Sequence, residues 1–163
     1  MTVDLIDVRD LVEHPGTSRR VHLHEPVAFH TELADLPDPV DGEFLLEGLA
    51  EGVYVSGSVD APATLRCARC LAEFPQRMAV TVAELVPREQ GPEDDYVLGD
   101  DLTLDPEPLV RDAIALELPF APLCSPTCLG LCPRCGGDRN RSECTCSEDI
   151  DPRWAALERF RED

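Results

Sequence analysis

Lysine is missing from this chain of 163 residues: all fourteen cationic side chains are arginine, set against 33 acids for a formal net charge of −19 at pH 7. That balance excludes generic attraction to nucleic acid as the main business, because phosphate binding draws its affinity from cations on the backbone and an overall anion opposes it at long range. A basic protein partner suits the charge better. The use of arginine alone reflects either genome composition or a preference for bidentate contacts, and the residues leave both open. Aromatic residues are also scarce, at 5 % against 43 % hydrophobic overall, so the interior is expected to be aliphatic. No apolar run approaches the length that crosses a bilayer, so no membrane association is expected. The opening MTVDLIDVRDLV has no basic leader, continuous apolar stretch or small-residue cleavage site, and a cytoplasmic protein is expected. GxSxG, a phosphate-cradling glycine loop and HExxH are all missing, and with them the signatures that would suggest an enzyme.

Cysteine, in contrast, is plentiful and patterned. Eight cysteines stand in four groups: Cys67 and Cys70 as CxxC, Cys124 and Cys128 as CxxxC, Cys132 and Cys135 as CxxC, and Cys144 and Cys146 as CxC. Tetrahedral Zn²⁺ takes four soft ligands, and a short loop lets two thiolates of one turn reach the same ion, so the pattern reads as two Cys₄ sites holding two zinc ions. The expected grouping is Cys67, Cys70, Cys124 and Cys128 for one ion and Cys132, Cys135, Cys144 and Cys146 for the other. The alternative puts Cys124, Cys128, Cys132 and Cys135 together and leaves Cys67, Cys70, Cys144 and Cys146. A disulfide framework belongs to small exported chains and fits poorly here; redox-active thiols are the other competing use of the same residues. With all eight positions filled by sulfur, neither zinc would keep the open coordination position of a catalytic site.

Periodicity organises the remainder. Residues 1–20 carry a short amphipathic stretch through Leu5, Ile6, Val8, Leu11 and Val12 that fits either a strand or one helical turn. Residues 17–42 suggest one or two edge strands, and the four histidines, His14, His22, His24 and His30, are expected on the surface or in packing. From residue 43 the runs FLLEGLA, GVYVSGSVD, ATLRC and QRMAVTVAELV predict a four-strand antiparallel meander, with Cys67 and Cys70 at its last tight connection. In the fourth run Met78, Val80, Val82 and Leu85 are expected on the core face. Residues 87–101 lack apolar periodicity and read as a solvated, mobile loop. Asp105, Pro106 and Glu107 then announce a helix over 106–118 with Leu109, Val110, Ala113, Ile114 and Leu116 toward the sheet, ended by Pro119 and Pro122. Asp151 and Pro152 repeat the start signal before Trp154, Leu157 and Phe160, which predicts a short terminal helix. The expected fold is α+β: an antiparallel β-meander sheet or partly open barrel packed by one helix, with a C-terminal zinc-ribbon-like segment and a short terminal helix. Residues 1–122 would form the core domain and 123–163 the cysteine-rich segment.

Charge is uneven along the chain. Residues 31–60 hold eight acids and no base, and residues 84–107 hold nine acids against Arg88. Arg66, Arg69 and Arg77 surround the first CxxC, and Arg134, Arg139 and Arg141 lie among the last cysteines. Arg66, Arg69, Arg134, Arg139 and Arg141 are therefore candidates for contact with a partner or RNA, the alternative being that they offset thiolate charge locally.

The succession CARC, DLTLDPEPLVRDAIALELPFAPLC, CLGLCPRCGGDRN, CTC and DPRWAALERF resembles the bacterial YceD family of large ribosomal RNA accumulation proteins in its cysteine-rich form, over about residues 43–160. The resemblance implies a ribosome-biogenesis factor supporting 23S rRNA accumulation and large-subunit assembly, and no catalytic residues carry over from it. Its partner would be a large ribosomal subunit precursor or a basic ribosomal protein, or 23S rRNA itself through the arginine-bearing cysteine loops. Cys67, Arg69, Cys70, the Leu109–Pro119 helix with Arg111 and Asp112, and the Trp154 region match the family pattern. The zinc role of the last six cysteines rests on their spacing.

Overall fold

The structure is a computed structural model that describes residues 4–92, 94–146 and 153. It is α+β, with its main sheet curled into an open half-barrel and a cysteine cluster at the C-terminal end of the described residues. The elements in chain order are β1 (Ile6–Asp7), α1 (Arg9–Glu13), β2 (Ser18–Glu25), β3 (Ala34–Asp35), β4 (Val40–Gly48), β5 (Gly52–Arg66), β6 (Glu73–Pro87), β7 (Thr103–Leu104) and α2 (Pro106–Glu117). The opening stretch that fitted strand or helix supplies both, as β1 and α1. Among the described residues α1 and α2 thus both accompany the sheet. The expected terminal helix with Trp154, Leu157 and Phe160 lies outside the described residues.

Strand β5 is the axis of the sheet. β6 pairs with it over its whole length, from Gly52 opposite Pro87 to Arg66 opposite Glu73. The other side of β5 is shared, with β4 opposite residues 53–60 and β3 opposite 64–65, while β2 extends the sheet beyond β4. The expectation of a break near Asp60, Ala61 and Pro62 is corrected here: GVYVSGSVD and ATLRC form one strand of 15 residues. Proline is tolerated because of where its missing donor falls. The Arg66 N–H points to the β3 side, onto the Leu33 carbonyl, and alternate residues of a strand point the same way. Pro62 thus faces the gap between the end of β3 at Asp35 and the start of β4 at Val40, where neither strand is in register with it.

Alternation places the core on one face. Val53, Val55, Val59, Ala61, Ala63 and Leu65 of β5 are buried, as are Phe44 and Leu46 of β4 and Met78, Val80, Val82 and Val86 of β6. Leu85 is 37 % exposed, which corrects its assignment to the core: it is out of step with Met78, Val80 and Val82, and Val86 takes the inward position.

α2 begins as its sequence announces. The Asp105 carboxylate accepts from the Glu107 N–H at 3.0 Å, and Pro106 occupies the first turn. Leu109, Val110 and Ile114 are buried and Ala113 packs against the core, whereas Leu116 points outward. Residues 87–101 also depart from expectation. Leu98 is buried, its N–H donates to Pro87, and the Tyr96 hydroxyl donates to Asp112 of α2 at 3.0 Å. Two side chains are enough to fasten this acidic segment to the body. Among the described residues no helix is long and apolar enough to cross a membrane.

Candidate metal centres

The first CxxC lies where β5 turns into β6, and the second lies beyond α2. Their backbones are built alike. Cys67 N–H donates to the Ala72 carbonyl and Leu71 N–H returns to the Cys67 carbonyl, both at 2.9 Å. Cys132 N–H donates to Gly137 at 2.8 Å and Gly136 N–H returns to Cys132 at 2.9 Å. Both turns thus pair residue i with i+5 and i+4 with i, which sends both sulfurs of each CxxC to one side. The residue after each second cysteine takes a left-handed conformation, φ 62° at Leu71 and 70° at Gly136. Glycine adopts it without cost and leucine does not.

The end of α2 delivers the next two cysteines to the first turn. Leu118 leaves the helix in an extended conformation, and the Pro122 carbonyl accepts from Ala68 N–H inside the CARC loop at 2.8 Å. The Arg69 guanidinium then donates to the Cys128 carbonyl at 2.9 Å, and the Arg69 carbonyl accepts from Leu131 N–H at 3.0 Å. Gly130, at φ 73°, passes so close that a Cβ there would lie 3.0 Å from the Arg69 carbonyl oxygen.

The sulfurs of Cys67, Cys70, Cys124 and Cys128 lie within 4.8 Å of one another, and those of Cys132, Cys135, Cys144 and Cys146 do the same. The alternative grouping of Cys124, Cys128, Cys132 and Cys135 is not the one formed. Sulfur pairs stand 3.8 Å apart at Cys67–Cys128, 3.6 Å at Cys70–Cys124 and 3.7 Å at Cys135–Cys144. A tetrahedron with metal–sulfur bonds of about 2.3 Å has edges of about 3.8 Å, whereas a disulfide needs about 2.05 Å. Both donor sets therefore fit a tetrahedral thiophilic cation. The first is the more enclosed: Cys67, Cys70 and Cys128 are buried with Ala72, Phe74, Leu123 and Leu131 around them, and Cys124 is exposed. In the second, only Cys132 is buried.

These geometries set the fold of the two sites beside the relatives of the chain. A family model described as "Large ribosomal RNA subunit accumulation protein YceD" matches residues 55–161. The chain belongs to the YceD family. Its description associates the family with accumulation of the large ribosomal RNA subunit. The match begins within β5 and takes in the whole of β6, α2 and both tetrads. Uncharacterised proteins of Mycobacterium bovis and Mycobacterium tuberculosis are each 36 % identical over 162 residues, covering 93 % of this chain and 78 % of theirs. One from Mycobacterium leprae is 34 % identical over 128 residues, covering 73 % of this chain and 58 % of its own. No solved structure matches.

Electrostatics divide the labour among the thiols of this YceD-family chain. Burial opposes ionisation of Cys67, but N–H donors at Cys124, Cys70 and Arg69 together outweigh it and bring the thiol down to about 6. N–H donors of Cys135 and Arg134 bring Cys132 to about 6 as well. The neighbouring Cys70 sulfur, then burial, pushes Cys124 up to about 12, and Cys144 and Cys135 do the same to Cys146. Each tetrad thus sets a readily ionised sulfur, Cys67 or Cys132, beside one whose ionisation its neighbours oppose, Cys124 or Cys146, and a divalent cation would relieve that repulsion and release protons.

All five candidate arginines are exposed, and the side chains of Arg66, Arg69 and Arg141 have intramolecular partners. Arg69 is committed to Cys128. Arg66 pairs with Glu73 at 3.4 Å and Arg141 with Asp138 at 3.4 Å. Arg134 donates its backbone N–H to Cys132 Sγ at 3.4 Å, and Arg139 donates its own to Gly130 at 3.0 Å. Sequence reasoning passed over Asn140, whose side-chain amide donates to Cys128 Sγ at 3.4 Å. The signal was the Asp138-Arg139-Asn140 triplet, an Asx-turn pattern inside a cysteine loop. Carboxylates beside the histidines were also missed, because they come from the adjoining strand: His24 Nδ1 lies 2.5 Å from Asp41 and His22 Nε2 lies 3.5 Å from Glu43.

Proposed function

We propose that this chain is a non-catalytic, zinc-stabilised acidic adaptor of large-subunit assembly that holds a basic ribosomal protein or a pre-ribosomal particle in the cytoplasm. The observation that carries this reading is a net charge of −19 on a member of a family described by accumulation of large ribosomal RNA. Two zinc ions held by the eight cysteines would take the charge to about −23, since each Cys₄ site is nominally 2−. Every coordination position would belong to a cysteine, which suits a structural ion and leaves none for an attacking water. The residues from 123 onward would then act as a metal-built unit appended to the core.

Acidic surface supports the choice of partner. Asp41 on β4 faces Asp60 on β5 in register, both exposed, and Glu32, Asp35, Asp38 and Glu51 are exposed in the same region of the sequence. A cationic client would be drawn to such a surface and kept from binding RNA indiscriminately. The arginines at the cysteine loops have an alternative use to RNA contact, since Arg66 and Arg141 pair with Glu73 and Asp138 and Arg69 donates to the Cys128 carbonyl.

The test is affinity purification of the full chain from growing cells, with and without ribonuclease. Recovery of a basic large-subunit protein that survives ribonuclease and falls with salt supports the adaptor. Loss of all ribosomal material on ribonuclease treatment replaces it with RNA contact, and recovery of none from either preparation removes the ribosomal reading.

A further inference from the structure

The loop between Cys135 and Cys144 is tethered at both ends by the second tetrad, yet its middle reaches the first. Asn140 makes the connection. Its amide donates to Cys128 Sγ at 3.4 Å while its carbonyl oxygen accepts from Leu129 N–H at 2.7 Å, so it grips the backbone and the sulfur of the same turn. Asp138 fixes the orientation of Asn140, accepting from its backbone N–H at 2.9 Å and from its side-chain amide at 2.7 Å. Around this contact Arg139 N–H donates to Gly130 and Leu131 pairs with Asp138, lacing the loop to the Cys128–Cys132 segment.

We propose that the two tetrads load with metal cooperatively, with Asn140 as the positioning residue through which order in the second tetrad's loop raises the affinity of the first. The inference rests on the zinc reading given above. A metal-bound thiolate keeps high charge density, and an N–H donor aimed at it stabilises that charge and fixes the ligand's direction. The donor is present only while its loop is held in place, and the loop is closed by Cys135 and Cys144. Filling the second site therefore organises a bond to a ligand of the first. Linkage makes the relation mutual: whatever factor the second ion contributes to the first, the first contributes to the second.

Zn²⁺ uptake by the full chain, followed by competition with a chromophoric chelator, tests this, with Co²⁺ in place of Zn²⁺ for the sulfur-to-metal absorption that reports on the thiolates. Releasing the loop with C144S/C146S weakens the first tetrad roughly ten- to hundred-fold, the scale of a lost outer hydrogen bond to a ligand. N140A weakens it by a similar factor and shifts the cobalt absorption of the first tetrad, which a change in general stability alone would not do. Adding N140A to C144S/C146S weakens the first tetrad no further, because the donor is already gone. C124S, at an exposed ligand of the first site, lowers the affinity of the second by the same factor. First-tetrad affinity within about two-fold of the parent in both N140A and C144S/C146S, on the same ten- to hundred-fold scale, overturns the coupling and leaves two independent zinc sites standing. A parent chain that takes up neither ion overturns the zinc reading and the coupling together.

Discussion

Leu71 and Gly136 do the same job in two copies of one turn, and only one of them is suited to it. A side chain in the left-handed region costs about 1 to 2 kcal/mol relative to glycine. Leu71 is 58 % exposed, so little burial offsets that cost. L71G is expected to stabilise the chain by about 1 kcal/mol in a denaturant titration, less the small loss of leucine burial. G136A is expected to destabilise by about 1 kcal/mol, although no atom lies within 4 Å of where its Cβ would be. Equal midpoints for the parent and G136A would show that this turn is not held in the folded state. His24 offers a second check. Its hydrogen bond to Asp41, then the Asp41 charge, raises its pKa above the ordinary histidine value. The pair therefore contributes stability that is complete below about pH 6.5 and is lost as pH rises through the raised value. In D41N the His24 titration, followed by NMR, moves back down; a titration unmoved by D41N would mean that the two strands do not bring these groups together.

At the scale of elements, local chemistry made α2 legible and neighbouring strands made β5 illegible. The Asp105 cap, Pro106 and the Leu109–Val110–Ile114 stripe are all local signals, and the helix starts where they put it. D105A is expected to cost about 1 kcal/mol by losing the bond to Glu107 N–H, and I114A about 2 to 5 kcal/mol because Ile114 is fully buried. Denaturant midpoints check both; an I114A cost near that of D105A would place α2 off the sheet. β5 follows the opposite logic. Proline ordinarily ends a strand, but that rule turns on whether the missing N–H was needed, and the answer lies in where β3 stops and β4 starts. Segment 87–101 hid its anchoring in the same way, since Tyr96 and Leu98 are too few to make a pattern and become visible only once Asp112 and the core are beside them.

For the whole molecule, the sulfur groups were readable because chelation is a matter of spacing, while the contact that joins them was not, because Asn140 meets Cys128 across a turn. The core has a different basis from the sites. Val8, Leu11, Phe44, Leu46, Val59, Leu104 and Ile114 bury themselves without sulfur, and the cluster around Cys67, Cys70 and Cys128 is a second one that touches theirs through Phe74. With zinc in the tetrads as proposed, its removal by a strong chelator is therefore expected to loosen the segment beyond α2 while the sheet persists. Cleavage after arginine reads this directly, and a chain without lysine makes the map simple. With chelator, trypsin is expected to cut first at Arg134, Arg139 and Arg141 in the second tetrad's loop, while Arg20 in β2, Arg66 at the end of β5 and Arg77 in β6 stay protected by strand pairing. Added Zn²⁺ in excess of the chelator restores protection of the loop. Early cutting at Arg66 and Arg77 would instead mean that the first tetrad holds β5 and β6 together, placing the metal within the stability of the sheet, since the open state that a protease samples is set by the free energy of local unfolding.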